Sequence, residues 1–328
     1  MQRFKDILCV VADLTAGKHV MERAVTLAEN NQASLTVVDV VEHVTAGIGM
    51  PDGGPISADL QAALVSAHEQ ALKTLVDSYR NRIEIQTRVL VGVPFLEIIR
   101  EVLRNGRDLV IKVPDPRDFL DRLLGSEDMH LLRKCPCPVW LIKPGRHKSF
   151  RRILAAVDAG DAYPLEELAT RRVLRSQILE MASSLALSDF AELHVVHAWE
   201  AIAESALRRI LNTSEKRLKA YIEQERRVHA ASLDSLMREV TGDLGQDALD
   251  YLKPRTHLVK GSPHREIPAV AKQIEADLVV MGTVARTGVP GFIMGNTAET
   301  ILNQIDCSVL AVKPPGFTTP VTLPETDA

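Results

Sequence analysis

Apolar positions along the chain fall into two kinds of segment. Short β-branched runs with little polar alternation recur near 7–12, 34–41, 84–91, 108–113 and 138–143, and again near 153–158, 192–198, 256–260, 277–281 and 307–313. Runs of this kind read as strands buried on both faces. Between them lie longer segments with helical spacing, near 19–30, 57–80, 95–105 and 127–134, then 165–187, 213–240, 264–275 and 297–304. Strand and helix alternate, which predicts βαβ units, right-handed crossovers and a parallel sheet. The expected architecture is α/β, as two tandem doubly wound parallel-sheet domains. Ligands of such sheets bind beyond the carboxyl ends of the strands, at the switch point. The segments 57–80 and 213–240 carry many charges on one side and read as solvated outer helices.

The tandem reading comes from self-similarity. Cys137-Pro-Val-Trp-Leu-Ile-Lys-Pro144 parallels Cys307-Ser-Val-Leu-Ala-Val-Lys-Pro314, and Gly125-Ser126 parallels Gly295-Asn296. Val91-Gly-Val-Pro-Phe-Leu-Glu97 parallels Lys260-Gly-Ser-Pro-His-Arg-Glu266, and Asp108-Leu-Val-Ile parallels Asp277-Leu-Val-Val. The starts match as Asp6-Ile-Leu-Cys-Val-Val-Ala-Asp13 and Arg152-Ile-Leu-Ala-Ala-Val-Asp158. The order is the same in both halves, which marks a duplicated domain rather than a short-period solenoid. The expected domains are 1–147 and 148–315, with a flexible or surface-draped tail over 316–328. The polar stretch Gly145–Ser149 marks the boundary, and so short a connection implies halves that pack closely, as an intramolecular pseudo-dimer. A homodimer is a further option.

Composition narrows the class. Of 328 residues, 46% are hydrophobic and 25% charged, a globular profile. The formal net charge of −4 argues against a general nucleic-acid binder or a membrane-surface binder. No run has the length of a membrane span. The amino terminus carries no signal-peptide pattern, so the cytoplasm is expected. Cys9 and Cys307 lie in or beside apolar runs and read as small core residues. Cys135-Pro-Cys137-Pro has C-x-C spacing and no second ligand pair, which disfavours zinc. Two cysteines one residue apart are also poorly placed for a relaxed disulfide. No metal site is expected.

The candidate chemistry lies in Gly282-Thr-Val-Ala-Arg-Thr-Gly288-Val-Pro-Gly-Phe-Ile-Met-Gly295-Asn296-Thr297. An apolar run precedes it and a helix-like segment follows. Glycines let a backbone approach a phosphate, and the N–H groups of a helix start point at it. The Gly-Lys-Ser/Thr ending of a P-loop and the G-x-G-x-x-G fingerprint are both absent. The loop reads either as an anion site or as a glycine-rich structural turn. Asp13, Asp158 and the Gly282 loop are expected at the same sheet edge. Asp158 alone reads equally well as a turn or capping residue. His197 and Trp199 read as packing residues. The Gly47–Pro55 loop, near the expected pocket mouth of the first domain, reads as a lid or, more simply, as a surface loop.

A strand ending in Asp, a Gly-x-x-Gly-x9-Gly-Ser/Thr loop and a final Cys-Pro-Val-aliphatic strand resemble the universal stress protein superfamily. The resemblance covers nearly the whole chain. It implies an adenine-nucleotide-binding-like α/β fold in each half and domain pairing through the last strand. It also implies a cytoplasmic role in resistance to stress, including DNA damage, with no firmly attached reaction. Carried onto this sequence, it implies ligand contacts at Asp158, Ala198, Gly282, Ala285, Gly288, Gly295, Asn296 and Thr297, with Asp13, Gly125 and Ser126 as weaker first-domain candidates. The ligand would be ATP or another nucleotide, with Mg²⁺. Ala285 replaces the middle glycine of the motif, where a methyl group crowds a phosphate or forbids positive φ. Asn296 replaces Ser or Thr but still donates through its amide. The first-half loop has lost its early glycines. Pro114 and Pro116 lack N–H donors, and Asp115, Asp118 and Asp121 repel a triphosphate, although Lys112, Arg117 and Arg122 offset some charge. The first half is therefore expected not to bind ATP in the family manner. Three functions follow: a non-catalytic stress protein with a nucleotide-binding second domain, a scaffold with vestigial pockets, or a slow ATPase. No catalytic residue is assigned.

Overall fold

A computed structural model describes residues 4–11, 14–44, 55–114, 127–143, 149–161, 163–209, 214–244, 251–283 and 294–324. The first half runs β1 (Asp6–Val10), α1 (Leu14–Asn31), β2 (Ser34–Val41), α2 (Pro55–Asp77), β3 (Ile85–Val91), α3 (Pro94–Asn105), β4 (Leu109–Lys112), α4 (Glu127–Lys134) and β5 (Val139–Leu141). The second runs β6 (Arg152–Ala156), α5 (Leu165–Asp189), β7 (Glu192–Trp199), α6 (Glu204–Arg209), α7 (Glu215–Leu244), β8 (Arg255–Lys260), α8 (Pro263–Gln273), β9 (Leu278–Gly282), α9 (Asn296–Leu302) and β10 (Ser308–Val312). Every strand expected from the hydrophobic pattern is present. The short helix α6 was not expected; its six residues bury no side chain, so it leaves no apolar stripe to read.

The chain forms two units. The first comprises Arg3–Lys148 with Ser308–Ala311 and Phe317–Ala328. Its sheet runs β3-β2-β1-β4-β5, all parallel, with β10 added antiparallel through pairs such as Leu310 with Trp140. The second unit comprises Met1–Gln2, Ser149–Cys307 and Val312–Gly316, with strands β9-β6-β7-β8 all parallel. The last strand of the sequence therefore completes the sheet of the first unit. The tail returns there too: Arg100 Nε donates to Thr322 O at 3.4 Å.

The alternation of buried runs and helices follows from packing on both sheet faces. Ile7, Leu8 and Cys9 on β1, and Ile153, Leu154 and Ala155 on β6, are completely buried. Each fully buried Ile or Leu side chain contributes about 1.5–3 kcal/mol. The matched segments of the two halves have structural reasons. Asp108 accepts the backbone N–H groups of Lys5 and Asp6 at 2.6 and 3.1 Å. Asp277 accepts those of Arg151 and Arg152 at 2.7 and 2.9 Å. Each clamps the start of its central strand to the neighbouring strand. Gly92 and Gly261 sit at φ 142° and 148° in the turn before a proline-started helix. A Cβ there would run into the side chain of Glu97 or Glu266, so the turn requires glycine twice over.

Strand order reverses between β1 and β4 in the first unit and between β6 and β9 in the second. These are the switch points where open α/β sheets hold ligands.

Candidate functional site

In the second unit Ala156 pairs with Met281, so Asp158 and Thr283 follow two residues beyond neighbouring strand positions. The sheet thus brings Asp158 and Gly282 to one edge. Asp13, Gly125, Ser126, Ala285 and Gly288 lie outside the described residues, as do 284–293, 115–126 and the Gly47–Gly54 part of the surface loop.

The Asp158 carboxylate already has protein partners. Its Oδ1 accepts the N–H of Gly160 at 3.1 Å, and its Oδ2 accepts the Tyr163 hydroxyl. Arg171 Nη1 reaches the same oxygen at 3.5 Å, and its guanidinium lies 3.7 Å over the Tyr163 ring. Burial, reinforced by the Asp158 charge, pushes the Tyr163 phenol up to about 12, so it remains a proton donor. Arg175 donates to Ala159 O at 3.3 Å and to Asp161 Oδ1 at 3.1 Å. Arg175 Nε is buried with no partner among the described residues. Arg171 and Arg175 are one turn apart on α5 and share a face, which directs both at the turn after β6.

His197 supports that turn from beneath. Its Nδ1 lies 3.3 Å from both Val157 O and Ala159 N, and its Nε2 lies 2.9 Å from His229 Nδ1. His229 stacks on Trp199 with 5.4 Å between ring centres. Burial lowers the pKa of His197 against the opposing pull of the Asp158 charge, with His229 adding to the lowering. The reading of His197 and Trp199 as packing residues thus gains a polar component: His197 is hydrogen-bonded to the turn that carries Asp158. Ala198 pairs with Val259 within the β7–β8 ladder and is half-buried.

Gly282 lies against helix α5. An added Cβ would stand 2.9 Å from Leu174 Cδ2 and 3.6 Å from Ile178 Cδ1, so a methyl group here needs only the Leu174 tip to shift. Thr283 is buried; its hydroxyl accepts from Lys313 Nζ at 2.9 Å and its N–H donates to Val312 O. Gly295 N donates to Thr283 O at 3.1 Å, closing the base of the glycine-rich loop. Gly295 is the N-cap of α9 with extended backbone, and no side chain among the described residues caps the helix. Asn296 and Thr297 are exposed there, with Glu299 in the same turn.

At the equivalent edge of the first unit the described charges pair with one another or with the backbone. Helix α4 opens with Glu127 and Asp128. Glu127 accepts the N–H of Phe95 at 3.0 Å. Asp128 is completely buried, and Lys112 Nζ donates to it at 2.7 Å and to Val113 O at 3.1 Å. Lys112 is therefore committed to an internal ion pair, which corrects the expectation that it offsets charge near a bound phosphate. Two carboxylates in the first turn of a helix occupy the positions where an anion would gain from the dipole.

The sequence reading missed Tyr163, Arg171, Arg175 and Asp128. The i, i+4 spacing of Arg171 and Arg175 was visible, but the partner of a surface arginine is decided by which turn it overhangs. Among the described residues, no group of three or more His, Cys, Asp or Glu is placed to hold a metal ion, and no helix is long and apolar enough to cross a membrane.

Comparison with known proteins agrees with this architecture. Residues 3–143 and 149–313 each match the Universal stress protein family. The chain is 28% identical to a universal stress protein E homolog of Haemophilus influenzae, over 95% of this chain and 98% of that protein. It is 31% identical to universal stress protein E of Escherichia coli, over 70% of this chain and 68% of that protein. A Pseudomonas aeruginosa structure described as a universal stress protein superposes with a TM-score of 0.63 at 25% identity, covering 95% of this chain and 94% of that one. An Archaeoglobus fulgidus universal stress protein shares the fold, with a TM-score of 0.58 at 18% identity over 94% and 98% of the two chains. Duplicated strand-end aspartates, a glycine-bounded loop at the second switch point and these matches over nearly the whole length lead to one conclusion: the chain belongs to the universal stress protein family, as a tandem protein with two such domains.

Proposed function

We propose that this protein is a non-catalytic cytoplasmic stress-response protein whose second domain binds an adenine nucleotide or a related phosphate ligand, contributing to stress and DNA-damage resistance. The observation that carries the reading is the contrast between the two helix starts. In the second unit α9 begins at Gly295 with no side-chain cap among the described residues, with Asn296 and Thr297 exposed and one carboxylate, Glu299, in its first turn. In the first, α4 begins with two carboxylates, one buried against Lys112. Free N–H groups at an uncapped helix start favour an anion; a carboxylate-filled start disfavours one. In this reading Asp158 contacts the nucleoside, the Gly282–Gly295 loop and the α9 start take the phosphates, and Mg²⁺ accompanies a triphosphate. Turnover is not part of the proposal.

A second reading is a scaffold with vestigial pockets. It is favoured by the engagement of Asp158 with Tyr163, Gly160 and Arg171, because a nucleoside would compete with these partners for the carboxylate.

Titration calorimetry with ATP and Mg²⁺, on the full chain and on Gly295→Arg and Tyr163→Phe, separates the two. Nucleotide binding predicts uptake by the parent, loss in Gly295→Arg and tighter binding in Tyr163→Phe, where one competitor for Asp158 is removed. No uptake by either the parent or Tyr163→Phe establishes the scaffold. Native mass spectrometry of the freshly purified protein then identifies any retained ligand.

A further inference from the structure

The C-x-C segment of the first unit has a geometry that its spacing does not foretell. Cys135 follows the last turn of α4, with its N–H donating to Leu131 O at 2.9 Å. Cys137 precedes Pro138, whose carbonyl accepts from Val110 N at 3.0 Å as β5 joins β4. The chain bends between them, and the two Sγ atoms lie 3.6 Å apart. Both are thiols, Cys135 completely buried and Cys137 8% exposed. Pro136 and Pro138 restrict the backbone on both sides of Cys137. Little chain entropy therefore remains to be lost when the sulfurs join.

We propose that Cys135 and Cys137 are a two-electron thiol switch, closing to an intramolecular disulfide when the protein meets a hydroperoxide. Cys137, the more exposed sulfur, reacts first. As thiolate it attacks one peroxide oxygen, the O–O bond breaks, and the other oxygen leaves with a proton as water or alcohol. Cys137 becomes a sulfenic acid. The Cys135 sulfur, already in contact, attacks the sulfenic sulfur; the S–O bond breaks and the hydroxyl leaves as water with the proton of Cys135. Two thiols are oxidised by two electrons and one hydroperoxide is reduced.

The surroundings set the rate. The Cys135 partner and burial push the Cys137 thiol up, with the Asp108 charge acting in the same direction. The negative end of α4 also disfavours a thiolate beside it. Formation of the Cys137 thiolate is thus the slow step, and it becomes easier as pH rises. The adjacent resolving thiol diverts the sulfenic acid before further oxidation. The disulfide ties the last turn of α4 to the start of β5, the strand that pairs with β10 in this unit.

The test uses the full chain carrying Cys9→Ser and Cys307→Ser, so that only this pair remains. The protein is treated with hydrogen peroxide, alkylated with iodoacetamide under denaturing conditions and weighed intact. The expected result is loss of both alkylatable thiols together, with a mass decrease of two hydrogens, reversed by dithiothreitol and faster as pH rises. Adding Cys135→Ser should convert the product to sulfinic and sulfonic acids on Cys137. Two thiols that remain alkylatable after peroxide, oxygen adducts on a single sulfur with both cysteines present, or covalent dimers would each overturn the proposal. If Cys135→Ser fails to fold, the Cys137→Ser protein serves as the one-thiol control.

Discussion

Removing the Asp128 carboxylate should destabilise the first unit more than almost any other single polar change. Asp128 is completely buried, and its partner Lys112 is 6% exposed at 2.7 Å. Asp128→Asn keeps the shape but leaves the ammonium buried with a neutral amide and Val113 O. Breaking a buried pair in this way costs about 3–5 kcal/mol, because the remaining charge has lost its solvent and its counter-charge. Replacing both partners, as Lys112→Met with Asp128→Leu, removes the desolvation cost with the attraction. That variant should fall within about 1 kcal/mol of the parent or exceed it. The assay is urea unfolding followed by Trp140 fluorescence in a Trp199→Phe background, since the chain has two tryptophans, one on β5 and one on β7. With urea slopes of about 1–3 kcal/mol per molar, the single variant should lower the midpoint by about 1 M or more. A shift below about 0.5 kcal/mol for Asp128→Asn, or a double variant losing the sum of the two singles, would refute the buried pair. The outcome also bears on function, because the same pair commits the only lysine of β4 internally.

Stability of the second unit should fall on mild acidification. Burial lowers the folded pKa of His194, His197 and His257 below the ordinary histidine value. The unfolded chain takes up protons below about pH 6.5 while the folded one resists. Stability from these groups is therefore complete above that pH and declines as pH falls toward their folded values, by at most about 1.4 kcal/mol per unit for each histidine. Replacing His197 with Gln should flatten the profile between about pH 6.5 and 5, and an unchanged profile would contradict the assignment. Gly282→Ala should fold with a loss of about 1 kcal/mol, the low end for an added methyl, since it meets the movable tip of Leu174; a ligand affinity that drops more than stability would give Gly282 a binding role as well. Gly261→Ala should cost about 1–3 kcal/mol by thermal unfolding, because positive φ and the Glu266 side chain both oppose a Cβ. A loss of a few tenths would mean that the turn relaxes.

The sequence alone determined the duplication, the ten strands and the parallel α/β class. Those features depend on local periodicity and on glycine, proline and aspartate at fixed offsets. The Gly-x-Pro turns before α3 and α8, and the aspartates that clamp β4 and β9, serve the same backbone geometry in both halves and so recur as residues. Tertiary structure decided which charges are spent inside the fold. Lys112 and Asp128 are sixteen residues apart, Asp158 and Arg171 thirteen, and His197 and His229 thirty-two. Nothing in local propensity pairs them; strand register and the seat of each helix do. The short sulfur contact in Cys135-Pro-Cys137 arises in the same way, because the C-x-C spacing gives a distance only after the chain bends from α4 into β5. Polar pairs of this kind cost desolvation unless their geometry is met, so their partners follow from packing and cannot be read from residue type.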